Sequence, residues 1–290
     1  MSQVIVFGSL HYDIIVHGPG RPRKGETVTG DRWFPKCGGK GGNQAISAAK
    51  TGVPTAMIGA VGDDDFGRVL VANQASGRVD SRFIRIVENV GSGMSVAIFD
   101  QDGDYGAVIV SGSNLALGQV DVDAASELFS RGGVLVLQNE IPDAANVAAA
   151  RATRSAGGRV VLNAAPARDL SVDLMELVDV IVVNQIEAEQ LTEGPVVDTL
   201  DGALDAARRL AQIYPVAVVT AGGEGVACAT GEGLELAVPA LKVKLVSTHG
   251  AGDEFTGVLA AELAKGSEIA VAINAANLAA ATLVSTPQAN

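Results

Sequence analysis

The chain has 290 residues, long enough for one large domain or two smaller ones around a sizeable core. Apolar side chains make up 48%, yet no apolar run reaches membrane-spanning length without a charge or glycine. The start also lacks a basic segment followed by an apolar one, so a soluble, cytoplasmic protein is expected. A net charge of −12 argues against general nucleic-acid or acidic-membrane binding, and Cys37 and Cys228, the two cysteines, form neither a disulfide framework nor a cysteine metal cluster.

In chain order, short apolar runs alternate with alanine-rich helical stretches. VIVFGS opens the chain as a strand. An extended stretch rich in Gly, Pro and charge follows from about 13 to 35. The helix NQAISAAKT, the strand TAMIGAVG and the helix DFGRVLVANQAS come next. From about 92 to 113 the pattern reads as a hairpin turning at Asp102-Gly103. Beyond it the strands VLVLQN, RVVLNAA, VIVVN and VAVVTAG interleave with the helices DAANVAAARATRSA, QIEAEQLT and LDGALDAARRLAQI. A second hairpin, VACATGEGLELAVPAL, precedes two final helices, AGDEFTGVLAAELAK and IAVAINAANLAAATLVS. Strands with no polar face belong in a sheet covered on both sides, so an α/β fold with a mainly parallel sheet is predicted. The stretches 13–35 and 92–113 are too short to fold alone and are expected to form a small β-layer projecting from that core. Such sheets bind ligands beyond the carboxyl ends of their strands.

Several chemistries have no motif here. There is no GxxxxGK[ST] loop, no GxGxxG after the first strand and no GxSxG elbow. DQDGDYGAVIVS resembles a calcium loop but lacks Gly at its sixth position and Glu at its twelfth. His11, His17 and His249 lack metal-ligand spacing.

Three stretches do carry chemistry. In CGGKGGNQAISAAKTG, four glycines flank Lys40 ahead of a helix, so the backbone can close on a ligand. Lys40 and Asn43 could bind ligand hydroxyls there, or Asn43 could cap the helix. In VSTHGAGDEF, Gly250 and Gly252 turn backbone N–H groups into a concave anion site at a helix start. Asp253 beside it is either a general base or a good first-turn helix residue. In VVNQIEAEQLT, Asn184 ends a strand and Glu187 lies in the next turn. The pair could hold a magnesium–phosphate group through waters or simply cap the helix.

GGKGGNQAISAAKTG and THGAGDEFTG resemble the two signature stretches of the ribokinase, or PfkB, family of carbohydrate kinases. The resemblance continues in family order through GSLHYDIIV, GETVTG, VGDDDFG, LNAAPAR, VVNQIEAE and VVTAGGEG, and covers nearly the whole chain. It implies a ribokinase-like three-layer sandwich, with a mainly parallel central sheet flanked by helices. It further implies a single domain over 1–290, with a β-sheet lid formed by about 13–35 and 92–113. The implied reaction is transfer of the ATP γ-phosphoryl group, with Mg2+, to a hydroxymethyl oxygen of a small sugar, ribose first. Another sugar, a nucleoside, or a binding protein without turnover are the alternatives.

On this resemblance Asp253 is the catalytic base, and the amides of Gly250, Ala251 and Gly252 form its anion hole. His11, Asp13, Gly39, Lys40, Asn43 and Glu140 match sugar-binding positions. Asn184, Thr220, Gly222, Gly225 and Asn277 match nucleotide-binding ones. Glu187 would reach magnesium through water. A homodimer through the lid is implied, with no nucleic-acid or membrane partner.

Four positions depart from the family pattern. Ser247 stands where an Asp usually helps hold a monovalent cation, so weak potassium activation is expected. His249 replaces a small residue. Glu254 replaces the Ser or Thr after the base, and would weaken phosphate binding if it pointed inward. His11 replaces an Asn that contacts the sugar. STPQAN lacks the usual Gly after Pro287 and ends ahead of the family's terminal segment.

Overall fold

The computed structural model describes residues 3–100 and 105–286. In chain order these form β1 (Val4–Phe7), β2 (His11–His17), β3 (Arg32–Gly38), α1 (Lys40–Lys50), β4 (Thr55–Gly62), α2 (Asp65–Ser76), β5 (Asp80–Val87), β6 (Met94–Phe99) and β7 (Tyr105–Val110). Next come α3 (Gln119–Ala124), α4 (Ser126–Phe129), β8 (Val134–Gln138), α5 (Asp143–Ser155), β9 (Arg159–Asn163), α6 (Val172–Met175) and β10 (Val180–Asn184). The chain finishes with α7 (Gln185–Thr192), α8 (Leu200–Leu210), β11 (Val216–Thr220), β12 (Gly225–Thr230), β13 (Glu235–Pro239), α9 (Ala251–Lys265) and α10 (Ile269–Ser285).

Nine strands make the large sheet in the order β13-β12-β11-β10-β9-β8-β1-β4-β5. From β11 to β5 every pairing is parallel, and the β12–β13 hairpin adds two antiparallel strands at one edge. Every residue of β1, β4 and β8 is buried. The cause is two cores, one per sheet face. Ile5 and Phe7 pack in the core that includes side chains of α3, α5 and α8, whereas Val4 and Val6 pack in the core that includes α1, α2, α9 and α10. The result is the three-layer α/β sandwich that the continuous apolar runs predict.

A second, four-stranded sheet has the order β3-β2-β6-β7. β6 and β7 pair antiparallel, with Met94 opposite Val110, and the Asp102-Gly103 turn expected between them lies outside the described residues. β2 begins at His11 and β3 runs to Gly38, while 18–31 between them carries no strand. The strand β5 is absent from the sequence expectation because Arg82 and Arg85 break its apolar run. It is the sheet's edge, where one side needs no apolar cover.

The strand order places a switch point between β1 and β8. From β1 the chain builds outward through β4 and β5, and from β8 it builds the other way. Crevices at such points, beyond the strand ends, are where α/β sheets take ligands.

Candidate active site

The two strand ends at the switch point are tied together by side chains. Ser9 Oγ, just after β1, donates to Glu140 Oε2, just after β8. The same carboxylate oxygen accepts from the Lys40 backbone N–H at 3.0 Å. This close approach of α1 requires glycines. Gly39 has φ +86°, and a Cβ there would sit 2.7 Å from the His11 nitrogen; one on Gly41 would sit 2.6 Å from that of Ser9. α1 therefore starts at Lys40, three residues before its apolar pattern does, because tertiary contact overrides the poor helix propensity of glycine.

Above this junction opens a cleft of about 830 Å³ between the small sheet and the ends of the large one. Its polar end holds His11, Asp13, Gly39, Lys40, Asn43, Glu140, Ser247, His249, Gly250 and Asp253, which gathers the sequence-predicted sugar positions with the candidate base. Its other end is apolar, with Ile15, Ala97 and Ile109, and with His17 stacked on Phe34 and Phe99 at centroid distances of 5.8 and 5.5 Å.

Asp253 lies in the first turn of α9, but its carboxylate serves more than the helix. Oδ2 accepts from Asn43 Nδ2 and Oδ1 from Gln44 Nε2, both at 2.9 Å. Asn43 therefore braces the aspartate and does not cap α1, whose cap position is Gly39. Burial raises the Asp253 carboxyl above the ordinary aspartate range. The Lys40 charge and the two amide donors oppose that shift, and Glu140 adds to it.

Gly250 caps α9 with φ +82°, in the left-handed region that glycine enters without strain. A Cβ on Gly252 would meet nothing within 4 Å, so the space above the helix end is open. The Ala251 N–H makes one long bond, 3.3 Å, to the Thr248 carbonyl. An open helix N-terminus with weakly engaged amides fits a phosphate group.

Glu254 points away from that space. Ser47 Oγ donates to it at 2.6 Å, and Lys50 Nζ lies 3.7 Å away, so the second carboxylate is spent on packing α9 against α1. His249 lies in the cleft wall, where desolvation and then the Lys36 charge lower its pKa below the usual imidazole range. The Ser247 hydroxyl accepts from the His249 backbone N–H at 3.2 Å.

The expected nucleotide positions also converge. Asn184 and Thr220 are register partners at the ends of β10 and β11. Gly222 (φ +53°) and Gly225 (φ +127°) shape the turn into β12. Gly225 faces Pro239, whose carbonyl accepts from Asn277 Nδ2 at 3.1 Å. Asn184 and Glu187 form a reciprocal capping box on α7, each accepting from the other's backbone N–H at 2.9 Å. Glu187 is not among the residues that line the cleft, yet it is close enough to two of them to feel their charge. Burial raises its pKa, and Lys40 and Asp253 both act on its charge. Among the described residues no group of three or more His, Cys, Asp or Glu side chains gathers as a metal site.

Sequence reasoning misses Ser9, Gln44 and Ser95. Ser95 Oγ donates to Asp13 Oδ1 at 2.5 Å. Gln44 carries the clearest sequence signal, a long polar residue on the face of α1 that otherwise buries small ones, Ala45, Ser47, Ala48 and Ala49.

The sequence pattern of the pfkB family carbohydrate kinases matches residues 1–290. Ribokinase of Mus musculus is 34% identical over 265 residues, which cover 91% of this chain and 82% of that protein. Deoxyribokinase of Salmonella typhi is 33% identical over 279 residues, covering 96% and 91%. The solved structure of Arabidopsis thaliana ribokinase complexed with ribose and ATP is similar with a TM-score of 0.93 at 28% identity, covering 100% of this chain and 95% of that one. The chain belongs to the pfkB family of carbohydrate kinases and is a phosphotransferase acting on a hydroxyl acceptor.

Proposed function

We propose that this kinase transfers the γ-phosphoryl group of ATP to the hydroxymethyl oxygen of a pentose, D-ribose in first place. The observation that carries the reading is Asp253: a buried carboxylate at the open N-terminus of α9, braced by Asn43 and facing a cleft lined with Asp13, Lys40 and Glu140. Those side chains offer donors and acceptors to several sugar hydroxyls. Asp253 takes the proton of the attacking hydroxyl, and the amides of Gly250, Ala251 and Gly252 neutralise charge on the group being transferred. Lys40 adds a positive charge at the same place. Most of the rate comes from alignment and neutralisation, as in other phosphoryl transfers.

ATP supplies the phosphoryl group when bound. Thr220, Gly222, Gly225 and Asn277 would hold it, with Asn184 and Glu187 facing its magnesium through water. Ser247 offers a hydroxyl where a carboxylate would hold a monovalent cation, so potassium activation is weak. The small sheet acts as a lid that excludes water, within one domain. Trp33, Val108 and Val110 are exposed on it and support pairing of two lids in a homodimer. No helix among the described residues is long and apolar enough to cross a membrane, which accords with a cytoplasmic site of action.

A nucleoside acceptor is the second reading. It is favoured by the apolar end of the cleft, where Phe34, His17 and Phe99 offer a stacking surface that a bare pentose does not need. His11, buried with Nδ1 3.8 Å from Glu140 and Nε2 without a partner among the described residues, bears on which sugar is chosen. ADP release across ribose, deoxyribose, fructose, other sugars and nucleosides tests both readings. Turnover with free pentoses supports the first, turnover with nucleosides alone supports the second, and silence across the panel contradicts both.

A further inference from the structure

Behind Asp253 lies a file of two amide side chains, with a third on the main chain of the second, that the reaction itself does not touch. Gln44 (α1), Gln138 (the last residue of β8) and Asn146 (α5) are each 0% exposed. Gln44 Nε2 donates to Asp253 Oδ1 at 2.9 Å, Gln138 Nε2 donates to Gln44 Oε1 at 2.9 Å, and Asn146 Nδ2 donates to the main-chain carbonyl of Gln138 at 2.8 Å. Room for Gln138 depends on Gly8, where a Cβ would lie 1.9 Å from Gln138 Oε1.

Buried amides are costly, and apolar side chains would fill this space as well. What the file adds is direction. An amide side chain has one acceptor oxygen and one donor NH2. With Gln44 Oε1 taken by Gln138, turning the Gln44 amide over would set oxygen against the acceptor-only Asp253 carboxylate and, with Gln138 in its present orientation, donor against donor; Gln138 Oε1 itself has no partner among the described residues. Gln44 can therefore present only N–H to Asp253. Asn43 lines the cleft and Gln44 does not, so Oδ1 is held on the buried side and Oδ2 on the cleft side.

We infer that Gln44, oriented by Gln138, is a positioning residue that fixes which carboxylate oxygen of Asp253 meets the acceptor hydroxyl. This rests on the reading of Asp253 as the general base. The charges around that carboxylate are Lys40 on α1, Glu140 after β8, Lys36 on β3 and Glu187 on α7. None of them is substituted in the variants below.

The test is kcat, KM and the pH dependence of kcat for Gln44→Met, Gln138→Met and the double variant, with Asp253→Asn alongside. Gln44→Met is expected to lower kcat by about 10- to 100-fold, with KM for the sugar held within about threefold. It should also move the acid limb of kcat to higher pH, because Asp253 loses a donor that favours its ionised form. Gln138→Met should do the same to a smaller degree. The double variant should be no worse than Gln44→Met, since Gln138 acts only through Gln44.

Additive losses with an unmoved acid limb would make the file a packing feature and overturn the inference. If Gln44→Met does not fold, Gln138→Met decides alone, and an unmoved limb there overturns it. Full turnover by Asp253→Asn, by contrast, would remove the underlying reading of Asp253.

Discussion

Asn43 and Asp253, 210 positions apart in the chain, share a hydrogen bond of 2.9 Å between Nδ2 and Oδ2. The bond joins the glycine-rich start of α1 to the open start of α9, and it makes one site of the two stretches that mark the family. An amide that lines the cleft and touches Asp253 is well placed to trade that contact for a sugar hydroxyl. Asn43→Ala should therefore raise KM for the sugar and lower kcat together, by about tenfold each. A change in KM alone would show that Asn43 binds sugar without bracing Asp253.

The pH dependence of turnover follows from burial. As the proposed base Asp253 would work ionised, and burial raises its pKa, so activity is expected to fall with acid through a limb above the ordinary aspartate range. Lys40 opposes that shift. Lys40→Met should carry the limb to still higher pH when kcat is measured at saturating sugar. A limb that stays put or moves down would mean that another group governs it.

Glu254 follows Asp253 directly, yet its partners are Ser47 and Lys50. Glu254→Thr should lower stability by about 1 kcal/mol, read as a lower denaturation midpoint, and leave kcat within about twofold. A several-fold change in kcat or in KM for ATP would place the carboxylate in the anion site after all.

Gly39 is held at φ +86°, with the backbone of Leu10 and His11 against it. Gly39→Ala should cost about 1–3 kcal/mol of stability and displace Lys40, so sugar affinity and stability fall together. Unchanged melting in this variant would show that the junction of β1 and α1 is looser than its packing implies.

Exchange of sodium for potassium should change turnover by less than about twofold, because the Ser247 hydroxyl is a poorer cation ligand than a carboxylate. Ser247→Asp should enlarge the potassium effect. Strong activation of the unaltered enzyme would contradict the assignment.

The layered core was legible because its strands are buried on both faces and read as unbroken apolar runs: Val4–Phe7 and Val134–Gln138 need no other signal. The edge strand β5 was not, since Arg82 and Arg85 interrupt its apolar run. In the site, Lys40, Asn43 and Asp253 stood out because glycines flank or neighbour them. Ser9, Gln44 and Ser95 did not. Each acts by a contact with a distant residue, Glu140, Asp253 or Asp13, and local spacing records no such pairing. The direction of Glu254 was open for the same reason, since only the packing of α9 on α1 decides it.

The central claim is that Asp253 accepts the proton of a sugar hydroxyl as ATP is consumed. Its most direct test is ribose-dependent ADP release by the unaltered enzyme and by Asp253→Asn, with ribose binding to both followed by calorimetry. The account predicts turnover that requires ribose, a loss of about 10²- to 10⁴-fold in the variant, and ribose affinity that changes little. Comparable turnover in the two proteins, or ADP release that ignores the sugar, would contradict it.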